Sequence, residues 1–268
     1  MKKNFRKRRN IKKKKSIISS RFFWLGILII LILGGFFYLI CFSSFFQVKE
    51  ITIAGEKNVL KLKENINLTI EEKLNKKILL FNTRSIFLVD LSGIGKDILN
   101  NFPKLDEVII ERRLPNALNV SVKERQEAVL WIQGDKRFLL DNKGTAFEEV
   151  FNIEPVILKI ENLRQSPKFE LGTKVIGQET LNKIIALESK LKDELKIPLA
   201  GFIIVSEARL NVKTSDGWEI YFNLQEDINW QLTKLKMDLE EEIPPDRRRD
   251  LEYIELRFGN FAPYKYKN

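Results

Sequence analysis

Apolar residues follow three different patterns along this chain, and each pattern predicts a different element. Residues 22–42, FFWLGILIILILGGFFYLICF, run 21 positions without a charge. As a helix this stretch spans about 32 Å at ~1.5 Å per residue, which matches a hydrocarbon core of ~30 Å. Helical spacing comes next, in Leu62, Ile66, Ile70 and Leu74, and a second helix is predicted over Leu91–Asn101, stopped by Pro103. Residues 178–196 read as a helix ending before Pro198. Ile228, Leu232, Leu235 and Leu239 form another stripe, ended by Pro244-Pro245.

Strand patterns fill the gaps. Val48 to Ile53 alternates partly and ends at Gly55. Glu107–Arg113 is a strand, Leu114-Pro115-Asn116 a turn, and Leu118, Val120 and Val122 then alternate strictly with polar residues. The order over 47–125 is thus β-α-α-β-β. Leu210, Val212, Trp218, Ile220, Phe222 and Leu224 alternate around Ser215-Asp216-Gly217, a hairpin. The expected fold class is α+β: one transmembrane helix, a β-α-α-β-β domain and a mixed, β-rich C-terminal domain. The expected divisions are a tail at 1–21, the transmembrane segment at 22–46, and domains at 47–125 and 126–268.

Charge changes the picture. The chain carries 46 basic and 36 acidic side chains, a net +10 that resembles a nucleic-acid binder's. Eleven of the basic groups fall within residues 1–21, which hold no acid, leaving 35 basic against 36 acidic groups beyond. The tail lacks interleaved aromatics for stacking bases, so no nucleic-acid partner is expected. Lys49 and Lys57 after the apolar segment are offset by Glu50 and Glu56. The positive-inside rule therefore places the tail in the cytoplasm and residues 47–268 beyond the membrane. The lipid bilayer is an expected partner, each basic group contributing roughly 1 kcal/mol at an anionic surface. A cleaved signal peptide has a shorter apolar region, of ~7–15 residues, and Ile40 before Cys41 is too large for lipoprotein cleavage. The segment is expected to remain as an anchor.

The absence of histidine removes Ser-His-Asp, Cys-His and histidine-metal chemistry, and the single Cys41 leaves no intrachain disulfide. Gly93-Ile94-Gly95-Lys96 imitates a phosphate loop, but Asp90 stands where its first glycine belongs and Asp97 follows the lysine. A turn or helix start is expected there. Glu240-Glu241-Glu242 reads as the polar end of a helix and Asp246–Asp250 as a surface loop. Arg112 and Arg113 point to opposite sheet faces, and a salt bridge within the domain is expected of the pair. No cofactor, metal or small-molecule substrate is expected.

Several motifs together resemble a known family. Ile53-Ala54-Gly55, Phe87-Leu88-Val89-Asp90 and Glu111-Arg112-Arg113-Leu114-Pro115-Asn116-Ala117-Leu118-Asn119-Val120-Ser121-Val122-Lys123-Glu124-Arg125 are similar to the POTRA domain of the FtsQ/DivIB bacterial cell-division proteins. Phe138–Phe147, with its Asp141-Asn142-Lys143-Gly144 turn, resembles the hairpin that follows it in that family. Tyr253-Ile254-Glu255-Leu256-Arg257-Phe258-Gly259 is similar to its terminal strand motif. Glu127 departs from the family's frequent proline, Glu255 from its commoner aspartate, and residues 75–86 form a long, apolar link between the POTRA helices.

The resemblance implies a non-enzymatic, membrane-anchored scaffold of the divisome, located at the division septum. It also implies FtsB/DivIC-like and FtsL-like partners, bound through the last strand. Tyr253, Glu255 and Arg257 would share the outer face of that strand, while Ile254, Leu256 and Phe258 would face the core. Tyr264 and Tyr266 are candidate anchors for a partner or, equally, the closing residues of the domain's own core. The sequence is also compatible with two other classes of protein. A membrane-anchored cell-wall enzyme would use carboxylate, serine or lysine chemistry. A transport component would need a β-barrel for which too few residues follow.

Overall fold

Arg21–Phe42 forms a 22-residue helix, α1, in the computed structural model, which describes residues 20–56, 59–78, 81–151, 157–165 and 168–267. Residues 1–19 of the basic tail lie outside the described residues. Along α1 the side chains of Leu28, Ile30, Leu33, Phe36 and Tyr38 are exposed, whereas Cys41 is buried. A helix apolar all round with an uncovered surface matches a lipid environment. α1 ends at Phe42, so 43–46 form a turn, not more helix.

By its packing the chain divides into two units. The first comprises Met1–Ala54, Lys63–Ile94 and Ile110–Val120. The second comprises Gly55–Leu62, Gly95–Ile109 and Ser121–Asn268. In chain order the elements up to residue 124 are β1 (Glu50–Ala54), α2 (Val59–Leu74), β2 (Lys76–Ile78), β3 (Phe81–Thr83), α3 (Leu91–Asn101), β4 (Leu105–Arg113) and β5 (Ala117–Glu124). The division passes through α2, α3, β4 and β5, whereas β1, β2 and β3 belong to the first unit. β1, β5 and β4 make a three-stranded sheet in that order.

In the first unit, Ile66, Ile70 and Leu74 lie fully buried along α2, as their four-residue spacing requires. Asp90 accepts a hydrogen bond from the Gly93 amide at 3.0 Å, so the glycine-lysine stretch opens α3 as a capped helix start. Arg112 differs from expectation. It makes no salt bridge among the described residues; its guanidinium donates to the carbonyls of Ile86 and Val89, both at 2.7 Å. The segment 86–90 is irregular, and the carbonyls of Ile86 and Val89 need donors that no sheet supplies.

The order between the helices also differs. β2 and β3 pair antiparallel, Lys76 opposite Thr83 and Ile78 opposite Phe81, so β-α-β-β-α-β-β replaces β-α-α-β-β. The apolar link at 75–86 is where this additional hairpin lies.

The second unit contains β6 (Val129–Gln133), β7 (Lys136–Leu140), β8 (Ala146–Glu149), β9 (Leu158–Asn162), α4 (Gln178–Ser189), β10 (Leu199–Ile204), β11 (Arg209–Thr214), β12 (Glu219–Asn223), α5 (Ile228–Met237), β13 (Leu251–Glu255) and β14 (Tyr264–Tyr266). Both helices end in a wider π-type turn, Lys190–Glu194 and Asp238–Glu242. A single nine-stranded sheet runs β14-β13-β12-β11-β10-β9-β6-β7-β8. One core holds Trp131, Phe202, Trp218 and Phe222 with Leu181, Ile184, Leu232 and Leu235 from the helices. Leu130, Leu139 and Phe147 form a smaller cluster with Ile132, Val150 and Ile157. β6 and β7 thus bury both faces, which explains their continuous apolar runs.

Turn chemistry holds the β7–β8 hairpin. Asp141 Oδ1 accepts from the amides of Lys143 and Thr145, each at 2.9 Å, and Gly144 has φ +83°. A Cβ at Gly144 would meet the Ile176 carbonyl oxygen at 2.2 Å. Arg125, at the end of β5, pairs with Asp141 and, at 3.3 Å, with Asp106, while its Nε donates to the Pro103 carbonyl at 2.9 Å.

Candidate functional site

The expected docking residues lie at one end of the nine-stranded sheet, in an arrangement the linear sequence only partly predicts. β13 is not the terminal strand. It pairs parallel with β12 on one side and antiparallel with β14 on the other. The chain leaves β13 after Glu255, turns through Gly259 at φ +53° and returns as β14. β14 is therefore the edge, and no strand pairs with its outer side among the described residues. The Glu255 amide donates to the Pro263 carbonyl and the Lys267 amide to the Asp250 carbonyl, both at 2.8 Å. Residues 263, 265 and 267 therefore turn their backbone groups inward. By the two-residue repeat, Tyr264 and Tyr266 present theirs outward.

Register settles which side chains meet. Asn211 lies opposite Tyr221, Tyr221 opposite Glu255 and Glu219 opposite Tyr253, so these groups share the face away from the main core. The rings of Tyr221 and Tyr253 stack at 5.1 Å with 19° between planes. The Arg209 guanidinium sits 4.7 Å over Tyr221, and Arg257 lies 5.7 Å from the same ring and 4.9 Å from Phe258. Arg257 grips Glu255 with two bonds, Nε to Oε1 at 2.8 Å and a terminal nitrogen to Oε2 at 2.5 Å. That bond raises the Arg257 pKa; burial opposes it, and the charge of Glu255 adds to the rise. Burial, then the charge of Glu219, pushes the Tyr221 phenol up.

The structure thus brings Tyr253, Glu255 and Arg257 together. Tyr264 and Tyr266 belong to the other face. They pair with the core residues Ile254 and Leu251, and Tyr266 packs against the main core with the Arg247 guanidinium 4.3 Å from its ring. Phe258, expected in the core, is 64 % exposed, because regular alternation stops when β13 ends at Glu255. Ile254 and Leu256 are fully buried, as the alternation predicts.

Sequence reasoning missed Tyr221, Arg209 and Lys234. Lys234 is only 4 % exposed. Its ammonium donates to the carbonyls of Leu256 at 2.8 Å and Gly259 at 3.0 Å, with Phe258 and Phe261 at 3.4 Å. It thereby gathers the whole β13–β14 loop around one charge. Burial lowers its pKa, opposed by Glu226, Asp238 and Glu255. The signal was a lysine within the buried stripe of α5, between Leu232 and Leu235. The loop it holds displays Phe258 and Phe261 to solvent beside the free edge. An uncovered strand edge flanked by exposed aromatics is chemically suited to taking up another backbone.

Residues 46–125 match the family model of the POTRA domain, FtsQ-type. The chain is 26 % identical over 204 residues to the cell division protein DivIB of Clostridium tetani, covering 73 % of this chain and 71 % of that one. It is 32 % identical over 110 residues to the cell division protein FtsQ of Rickettsia bellii, 41 % of this chain and 36 % of that one. The DivIB of Clostridium acetobutylicum is 26 % identical over 158 residues, 57 % of this chain and 58 % of the relative. The last two relatives are thus matched over less than two thirds of their own length. Residues 46–125 thus carry a POTRA domain of the FtsQ type behind an apolar N-terminal helix, and the chain is similar to bacterial cell-division proteins bearing both the FtsQ and the DivIB names.

Proposed function

We propose that this protein is a non-enzymatic scaffold of the division machinery, anchored by α1 with its N-terminus in the cytoplasm and its folded domains outside. It works at the division septum. Its docking element is the β14 edge, which takes up a strand from a single-pass partner of the FtsB/DivIC or FtsL type.

The observation that carries this reading is the outer side of β14, unpaired among the described residues and flanked by the exposed Phe258 and Phe261. Each backbone bond to an added strand contributes a net ~1 kcal/mol, so a three-residue edge needs side-chain anchoring as well. The aromatic rings of the loop and the Tyr253–Arg257 face beside it supply that contact. The scaffold role also accords with a chain that has no histidine for acid-base or metal work.

The test is a chain ending at Ala262, which retains β13 but lacks β14. It should insert and fold yet lose capture of the FtsB/DivIC-like partner in co-purification. Full capture by the truncated chain would remove β14 from the account.

A further inference from the structure

The hairpin of β2 and β3 has no place in the docking account, yet its base is bound to the end of α1. A helix leaves its last carbonyls without partners, and in lipid that deficit is costly. Here the Ser85 hydroxyl donates to the Ile40 carbonyl at 2.7 Å. The Cys41 carbonyl accepts from the Thr83 hydroxyl and, at 3.0 Å, from Gln47 Nε2. Gln47 Oε1 in turn accepts from the Arg84 amide at 2.6 Å. Thr83, Ser85 and Cys41 are all buried. The hairpin therefore sits at the depth where α1 leaves the bilayer.

The side chains it carries there suit that depth. Phe81 is 63 % exposed, and its ring lies 5.8 Å from that of Phe42 in the last turn of α1. Phe42 in turn lies 5.8 Å from Tyr38. Phe45, in the turn after α1, is 60 % exposed. The lipid-facing surface of α1 thus continues through Phe42 onto the hairpin. Lys76 and Lys77 on β2 are exposed. Leu79 and Leu80, which join the strands in sequence, lie outside the described residues. Aromatic rings and lysines at the end of a spanning helix match the composition of a membrane–water interface.

We propose that the β2–β3 hairpin is a second membrane contact, seated in the interface of the leaflet from which the C-terminal end of α1 emerges. Phe81 lies at the boundary of headgroups and acyl chains, and Lys76 and Lys77 meet anionic headgroups. The proposal rests on α1 being a membrane anchor. Two fixed points instead of one restrict how the first unit tilts on its anchor.

Spin labels on the full chain in vesicles of phosphatidylethanolamine and phosphatidylglycerol test this. Single cysteines are introduced as F81C, L33C and D135C in a Cys41→Ala background, with the unaltered chain as the labelling control. Collisions with oxygen and with a polar nickel complex then report depth. The Leu33 label should lie in lipid, the Asp135 label in water, and the Phe81 label about 5–10 Å into the interface. Lys76→Glu with Lys77→Glu should move the Phe81 label toward water. A Phe81 label as water-exposed as that at Asp135, with Leu33 still in lipid, would overturn the proposal and leave the anchor intact. A Leu33 label in water would instead overturn the anchor itself and the proposal with it.

Discussion

Replacing Lys234 with methionine should release the last strand from the sheet while leaving the rest of the domain folded. The ammonium has three donors, so the two short contacts, 2.8 Å to Leu256 and 3.0 Å to Gly259, take two of them. The third is shared between Phe258 and Phe261, both at 3.4 Å. Hydrogen bonds from a charged donor contribute about 1.5–3 kcal/mol each, and burying the ammonium offsets part of the sum. A net loss of about 3 kcal/mol is a reasonable figure, equivalent to ~100-fold in an opening equilibrium. Methionine fills the space of the stem but satisfies no carbonyl. The cheapest relief is local, because Phe258, Gly259 and Phe261 already face solvent and water can reach their carbonyls once the loop lifts. Hydrogen exchange reads this directly. The Glu255 and Lys267 amides, bonded to Pro263 and Asp250 across the β13–β14 pair, should lose about 100-fold of protection. Amides of β11 should keep theirs. Unchanged exchange at Glu255 and Lys267, or an equal loss across the whole sheet, would refute the assignment of Lys234 to the loop.

Two other perturbations follow from the same structure. Arg125→Ala removes the partner of the buried Asp141 together with the bonds to Asp106 and Pro103; it should cost on the order of 3 kcal/mol, seen as a lower urea midpoint, and a midpoint within error of the parent would contradict the role of that cluster. The Asp238 carboxyl is pushed up by burial and then by Glu242, with Lys234 opposing. Its folded form therefore holds the proton longer than the unfolded chain, so stability should fall as pH rises from the ordinary value of 3.8 through the raised one. Asp238→Asn should abolish that part of the fall, and urea midpoints across roughly pH 4–7 measure it.

Much of this architecture was legible in the sequence because it rests on local periodicity. The uncharged run of 22–42, the i, i+4 stripe of α2 and the alternation on either side of Gly217 each depend on neighbours a few residues apart. What stayed hidden depends on non-local pairing. Nothing in Tyr253–Glu255 says that β12 lies parallel beside it, so the stacking of Tyr221 on Tyr253 could not be read from either strand. The edge was misplaced for the same reason: β14 is three residues long, too short for alternation to register, and its pairing covers the strand that the motif marks as last. The β2–β3 hairpin escaped because Ile78–Phe81 is a continuous apolar run without a period. Alternation gave the right face for Ile254 and Leu256 and failed at Phe258, one turn beyond the end of the strand.

Photo-crosslinking in dividing cells tests the docking edge most directly. A benzophenone side chain replaces Tyr264 on β14 and, in a separate chain, Glu148 on β8 at the opposite end of the sheet. The account predicts an adduct between the Tyr264 position and the FtsB/DivIC-like partner, absent from the Glu148 position. Adducts with that partner from Glu148 and none from Tyr264 would contradict it.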